Sequence, residues 1–312
     1  MPVRVGVNSH DPTLYFLRQT GLLEEALAAL GERVEWRTYS PGLRAPDFLG
    51  HELDFVGCGQ TPAVKALADA LPIAYVASTP SRPNQGALLV ARDSGIDSPA
   101  QLRGCRVAVT IGAWPTQLLA VALDNAGASL RDVVPVAQGD DPLAALLAGE
   151  VAAWAALGPR LVEAEEDGRV RRLIPTESAV SNRHMWLAPR AFVDQHGVMI
   201  SALVTAMERA SMWVEANIAQ AALRRASDGD PEAAAWGGDA GSWERTFARM
   251  PWGVIAIDER LIAEQQHAAD VLLAAGWLER PARIADAFVP GLRELVEGAV
   301  REARAQPPPV VG

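Results

Sequence analysis

Lysine is almost missing from this chain: of 28 basic residues, only Lys65 is not an arginine. Against them stand 38 acidic residues, for a formal net charge of −10. An acidic chain without a basic cluster is a poor partner for nucleic acid, whose affinity rests on phosphate neutralisation. Cysteine is scarce as well. Cys58 and Cys105 are the only two, and neither sits in a CxxC, which argues against a disulfide scaffold or a structural zinc site. No apolar run approaches the ~18 residues of a membrane span. The start, Met1-Pro2-Val3-Arg4-Val5-Gly6-Val7, lacks the charged segment, apolar stretch and cleavage site of a secretory leader. As written, the chain is expected in the cytoplasm; if a leader has been removed, it belongs outside. No clustered metal ligands are seen, and neither metal nor cofactor is expected.

What is present is enough for two cores. A length of 312 residues suits two domains, and the apolar fraction is 49%. Short β-like runs alternate with helix-like stretches, the pattern of an α/β fold with a mostly parallel sheet. In the first part, strands are predicted at 3–8, 33–39, 54–58 and 73–78. Asp11-Pro12 and Thr61-Pro62 open helices between them, since aspartate suits an N-cap and proline the first helical position. After the turn-rich stretch 80–85 a second set begins, with strands at 86–91, 106–111, 133–136, 151–157 and 171–175. Helices are expected at 115–127 and 143–148. From Phe192 the pattern is almost wholly helical, with Leu203, Ala206, Ala210 and Trp213 on one face. The acidic run Glu163–Asp167 reads as a solvated helix face. The proline-rich tail 306–312 reads as disordered.

Four stretches, in order, resemble the substrate-binding proteins of aliphatic-sulfonate, taurine and thiamine-precursor importers. They are Leu53-Asp54-Phe55-Val56-Gly57-Cys58-Gly59-Gln60-Thr61-Pro62, then Leu102-Arg103-Gly104-Cys105-Arg106-Val107-Ala108-Val109, then Gly149-Glu150-Val151-Ala152-Ala153-Trp154-Ala155 with Gly158-Pro159, and finally Val180 to Ala188. The helix from Ala263 to Asp270 is similar to that family's C-terminal region. The resemblance implies a two-lobed type II periplasmic-binding fold. Lobe one would be residues 1–85 plus 189–312, lobe two 86–188, with a ligand cleft between them. It also implies an ABC transporter permease as partner if the chain is exported.

Independently of the resemblance, ligands of open α/β sheets bind beyond the carboxyl ends of the strands. Five loops qualify: Asn8-Ser9-His10, Cys58-Gly59-Gln60-Thr61, Thr79 to Arg82, Gly112-Ala113-Trp114-Pro115-Thr116, and Leu157-Gly158-Pro159. Several lead into helix N-termini, where free N–H groups favour an anion. The expected ligand is a small organic anion such as a sulfonate. Arg82 either grips it or caps the crossover. Asn182 and His184 are added from the fourth family-like stretch, and Trp114 is the tryptophan expected to line the cleft. Gly57-Cys58-Gly59 begins like a dinucleotide fingerprint, but Pro62 stands where its third glycine belongs. Two functions remain open. One is anion delivery to an importer. The other is desulfinase-like carbon–sulfur cleavage by a cytoplasmic enzyme of the same fold, with Cys58 activated by His10. The resembling desulfinase carries its cysteine on the first loop, which here reads Asn8-Ser9-His10, so that carry-over fails residue by residue.

Overall fold

Parallel strands need long crossovers, and this chain supplies a helix for most of them. A computed structural model describes residues 2–8, 10–39, 45–229 and 237–311. Strand β1 (Val3–Val7) leads through α1 (Pro12–Thr20) and α2 (Leu22–Ala28) to β2 (Val34–Thr38). The two pair in parallel with Val3 opposite Val34. On the other side of β1 lies β3 (Phe55–Gly59), followed by α3 (Gln60–Ala68) and β4 (Ile73–Ser78).

The second sheet holds β5 (Gly86–Ala91), β6 (Arg106–Ala108), β7 (Val134–Val136), β8 (Ala153–Leu157) and β9 (Val170–Arg172). Its order is β7-β6-β8-β5-β9. Helices α4 (Trp114–Asn125), α5 (Pro142–Leu147) and α6 (Gly158–Asp167) cover its faces. The strand expected over 106–111 stops at Ala108, because Gly112 at φ +83° starts the turn into α4.

A strand missed in the sequence joins the first sheet. β10 (His184–Pro189) runs antiparallel between β3 and β4, giving the order β2-β1-β3-β10-β4. The lobe boundary drawn at 188 therefore falls inside a strand of the first sheet. The chain crosses back before His184, and the amides of β10 find partners on both flanks.

Helices α7 (Arg190–Gln195), α8 (Gly197–Ala216), α9 (Ile218–Ala226), α10 (Ala240–Ala248), α11 (Glu259–Ala274) and α12 (Leu292–Arg304) follow. Helices α1, α2, α8 and α12 bury one face of the first sheet, and α3 and α11 bury the other. The tail is not loose as expected. Pro309 is buried, and Val311 packs on the cluster of Phe16, Trp213, Phe247 and Trp252. The acidic run lies on an exposed helix face as expected, with Glu163, Glu166 and Asp167 exposed; Glu165 and Glu166 also form ion pairs, because α10 lies beside α6.

Asp11 ties α1 to the sheet. Its Oδ1 caps the helix by accepting from Leu14 N at 3.0 Å, and its Oδ2 accepts from Trp186 Nε1 at 2.9 Å. Gly57 leaves room for this carboxylate. A Cβ there would lie 1.8 Å from Asp11 Oδ2 and 3.0 Å from the Trp186 ring. Gly57→Ala is expected to destabilise the fold by about 1–3 kcal/mol, the usual range for overpacking a tight interior. Denaturant unfolding checks this; an unchanged midpoint would mean that Asp11 shifts without penalty.

Candidate functional site

Residues from both sheets line a cavity of about 380 Å³. Three helices begin at its wall. Gly59, Ala113 and Leu157 are the N-caps of α3, α4 and α6, and all three line the cavity. None of the three caps its helix with a side-chain hydrogen bond. The first-turn N–H groups thus keep their pull on an incoming anion.

Two crossovers run side by side at the cavity. Arg82 N donates to Ser181 O at 2.9 Å, Ser81 Oγ to the same oxygen at 3.0 Å, and Asn182 Nδ2 to Arg82 O at 3.1 Å. Glu264 of α11 holds the second crossover from behind, accepting from Ser181 N at 3.0 Å and from Ser181 Oγ at 2.7 Å. Asn182 adopts a left-handed φ of +50° there, a conformation asparagine tolerates better than most residues. This pairing places Arg82, Asn182, Arg183 and His184 together on one wall.

The charge of the wall is one-sided. The guanidinium groups of Arg82, Arg160, Arg183 and Arg225 line it beside the imidazoles of His10 and His184, and no carboxylate does among the described residues. Arg82 is 5% exposed, and its Nε and Nη2 have no hydrogen-bond partner among the described residues. Burial lowers its pKa to about 10, against the opposing pull of Asp11. The guanidinium therefore stays charged at neutral pH, buried and with donors unused. Trp114 Nε1 is a further buried donor without a partner among the described residues. Asp11 is the nearby counter-charge, its Oδ2 lying 3.3 Å from His184 Nε2. Burial would push that carboxyl up. The nearby His184 and hydrogen bonds from Leu14 N and Trp186 outweigh it and hold Asp11 below the usual range.

Of the residues singled out in the sequence, Asn8, His10, Cys58, Gly59, Arg82, Ala113, Trp114, Asn182 and His184 lie on this wall. Ser9 falls outside the described residues. Four lie behind the wall instead. Gln60 is buried, bonding Glu264 at 2.9 Å and Arg183 N at 3.2 Å. Thr61 donates to Ala113 O at 3.1 Å. Thr116 accepts from Gly112 N at 2.9 Å and donates to Thr110 O, so both residues shape the α4 turn. The reason is common to all four: β3 runs to Gly59 and α3 starts at Gln60, so no loop separates them, and the α4 turn is closed on itself. Sequence reasoning missed Arg160, Arg183, Arg225, Gln85, Gln138 and a set of side chains on α10. Only Arg183 was within reach, as a basic residue inside a stretch already chosen.

A family model described as NMT1/THI5 like matches residues 34–221, more than half of the chain. This chain belongs to the NMT1/THI5-like family. A protein of Escherichia coli (strain K12) named for binding aliphatic sulfonates is 27% identical over 210 residues, or 67% of this chain and 65% of that protein. The match thus spans just under two thirds of that relative. The periplasmic aliphatic sulphonate binding protein SsuA of Escherichia coli superposes with a TM-score of 0.80 at 23% identity, covering 94% of this chain and 99% of that one. SsuA of Xanthomonas axonopodis pv. citri, an alkanesulfonate-binding protein solved with bound MOPS, superposes at 0.75 with 25% identity, covering 92% and 98%. The fold is therefore that of the periplasmic binding proteins.

In this NMT1/THI5-like chain Cys58 and His10 shift against the activation that the enzyme alternative requires. Cys58 sits within β3, opposite Met185, and not on a loop facing a helix end. Burial first, and then the charge of Asp11, push its thiol well up. His10 is driven the other way. Burial, then the charges of His184 and Arg225, lower it from 6.5 to about 3. A thiolate–imidazolium pair needs the opposite shift on both groups. Native Cys58 is expected to resist iodoacetamide up to pH 9, and His10→Ala should not speed it. Mass-spectrometric mapping against Cys105 follows this; rapid Cys58 labelling at pH 7 would contradict it. The His10 shift also has a stability consequence. An unfolded chain takes up a proton at this histidine near pH 6.5 and the folded chain only near 3. This group therefore erodes stability as pH falls through that window. His10→Gln should flatten the dependence of the melting temperature on pH between 6.5 and 4.

Proposed function

We propose that this chain binds an organosulfonate in the cavity and hands it to an ABC importer outside the cytoplasmic membrane. The observation that carries the reading is Arg82. A buried guanidinium with two unused donor nitrogens is expensive to keep, unless an anion completes it. It stands where three uncapped helix N-termini converge. A sulfonate suits that geometry. It is ionised at any physiological pH, and its three equivalent oxygens can be shared between the guanidinium and backbone N–H groups. The names of the relatives, and MOPS in one of them, support the same head group.

Binding needs no chemistry from the wall, and the raised thiol of Cys58 supports a binding role over a cleaving one. None of the described helices is long and apolar enough to cross a membrane. The paired crossovers at Arg82 and Ser181 support hinge closure of the two units over the ligand.

Calorimetry with MOPS and with ethanesulfonate tests the proposal. Both should bind, and Arg82→Ala should weaken binding by about 1.5–3 kcal/mol, the range for hydrogen bonds to a charged group. If only neutral or cationic compounds bind, or if Arg82→Ala leaves affinity intact, the reading fails.

A further inference from the structure

Helix α10 gives the cavity a wall that an anionic head group does not use. Trp243, Thr246, Phe247 and Met250 all line the cavity. Trp243, Thr246 and Phe247, three and four residues apart, share one face of the helix, and Met250 follows two residues after the helix ends. The aromatic rings are held in place. The Trp243 and Phe247 ring centres are 5.2 Å apart, and the Arg225 guanidinium lies 4.6 Å from the Trp243 ring centre. Phe247 meets Phe16 and Trp252 edge-on at 5.6 and 5.5 Å.

The same helix is clamped to the unit that carries the second sheet. Arg245 Nε lies 2.7 Å from Glu166 Oε1, and Arg249 Nη1 lies 2.5 Å from Glu165 Oε2. Glu165 also holds Arg172 Nε at 2.7 Å, and Gln85 Nε2 donates to Thr246 O at 2.9 Å. Small edges of Trp243 and Met250, backed by the buried ring of Phe247, thus form a fixed surface at the cavity. A cavity of about 380 Å³ falls in the ~300–1,000 Å³ range of sites that enclose a drug-sized ligand. A sulfonate group on two carbons leaves most of it unfilled.

We propose that the ligand is an arylsulfonate, its head at Arg82 and the helix N-termini and its ring against Trp243, Phe247 and Met250. The inference rests on the sulfonate reading above and narrows it. A planar ring gains edge and face contacts with Trp243 and Phe247, and its ring edge suits the thioether of Met250. A straight alkyl chain of similar size covers the same wall only by freezing several rotors.

Titration calorimetry of the whole chain with benzenesulfonate, hexanesulfonate and ethanesulfonate decides the matter. Benzenesulfonate should bind at least tenfold tighter than ethanesulfonate and at least threefold tighter than hexanesulfonate. Trp243→Leu should bring the benzenesulfonate to hexanesulfonate ratio close to one. Because Trp243 is also packed in a core cluster, the native-chain panel stands alone if that variant does not fold. If ethanesulfonate or hexanesulfonate binds the native chain as tightly as benzenesulfonate, the aryl inference is overturned and the sulfonate reading stands. If no sulfonate binds, the sulfonate reading itself falls, and this inference with it.

Discussion

The buried carboxylate of Asp11 is the interaction on which the site depends. It caps α1, receives Trp186 Nε1 from β10, and stands 3.3 Å from His184 Nε2 at the cavity wall. Gly57 of β3 is the residue that makes space for it. One fully buried charge therefore joins the first helix, the central strand and the returning strand. It also sets the local electrostatics. Burial first, and then this carboxylate, raise the thiol of Cys58, and against the burial that lowers Arg82 it favours the charged guanidinium, so the shifts run against the cysteine chemistry of the enzyme alternative.

The balance of charge in this molecule is spatial. The chain carries a net charge of −10, yet the wall of its cavity is built from arginine and histidine with no carboxylate among the described residues. Acidic side chains are spent elsewhere. Glu264 holds the crossover from behind, and Glu165 and Glu166 pair with Arg249 and Arg245 across the two units. Keeping Arg82 buried with unused donors costs free energy in the empty state. Under the proposed reading, a ligand that supplies the missing acceptors recovers it.

Much of the architecture was legible from pattern alone. β4 and β5 fall at the residues expected, as does the Asp11 cap, because apolar runs bounded by turn residues and Asx-Pro starts are local signals. β10 was read as family-like sequence but not as a strand of the first sheet. A short apolar run does not say which sheet it joins, since that depends on partners more than a hundred residues away. Asn8, Cys58, Gly59, Arg82, Ala113 and Trp114 came from the rule that ligands sit beyond strand ends. Gln60, Thr61, Gly112 and Thr116 sit on the same segments, but their side chains and turns face the packing behind the wall.

By itself, the order of residues determined an α/β chain with helix starts at strand ends, an anion-favouring arrangement that needs only local backbone geometry. Tertiary structure decided the rest. It chose which wall residues meet, gathering Arg160, Arg183 and Arg225 from separate segments with Arg82. It brought α10 and its aromatic face to the cavity from the far end of the chain. It also shifted Cys58 and His10 against the chemistry that the enzyme alternative required, because a pKa is set by burial and neighbouring charge, and neither is encoded in sequence distance.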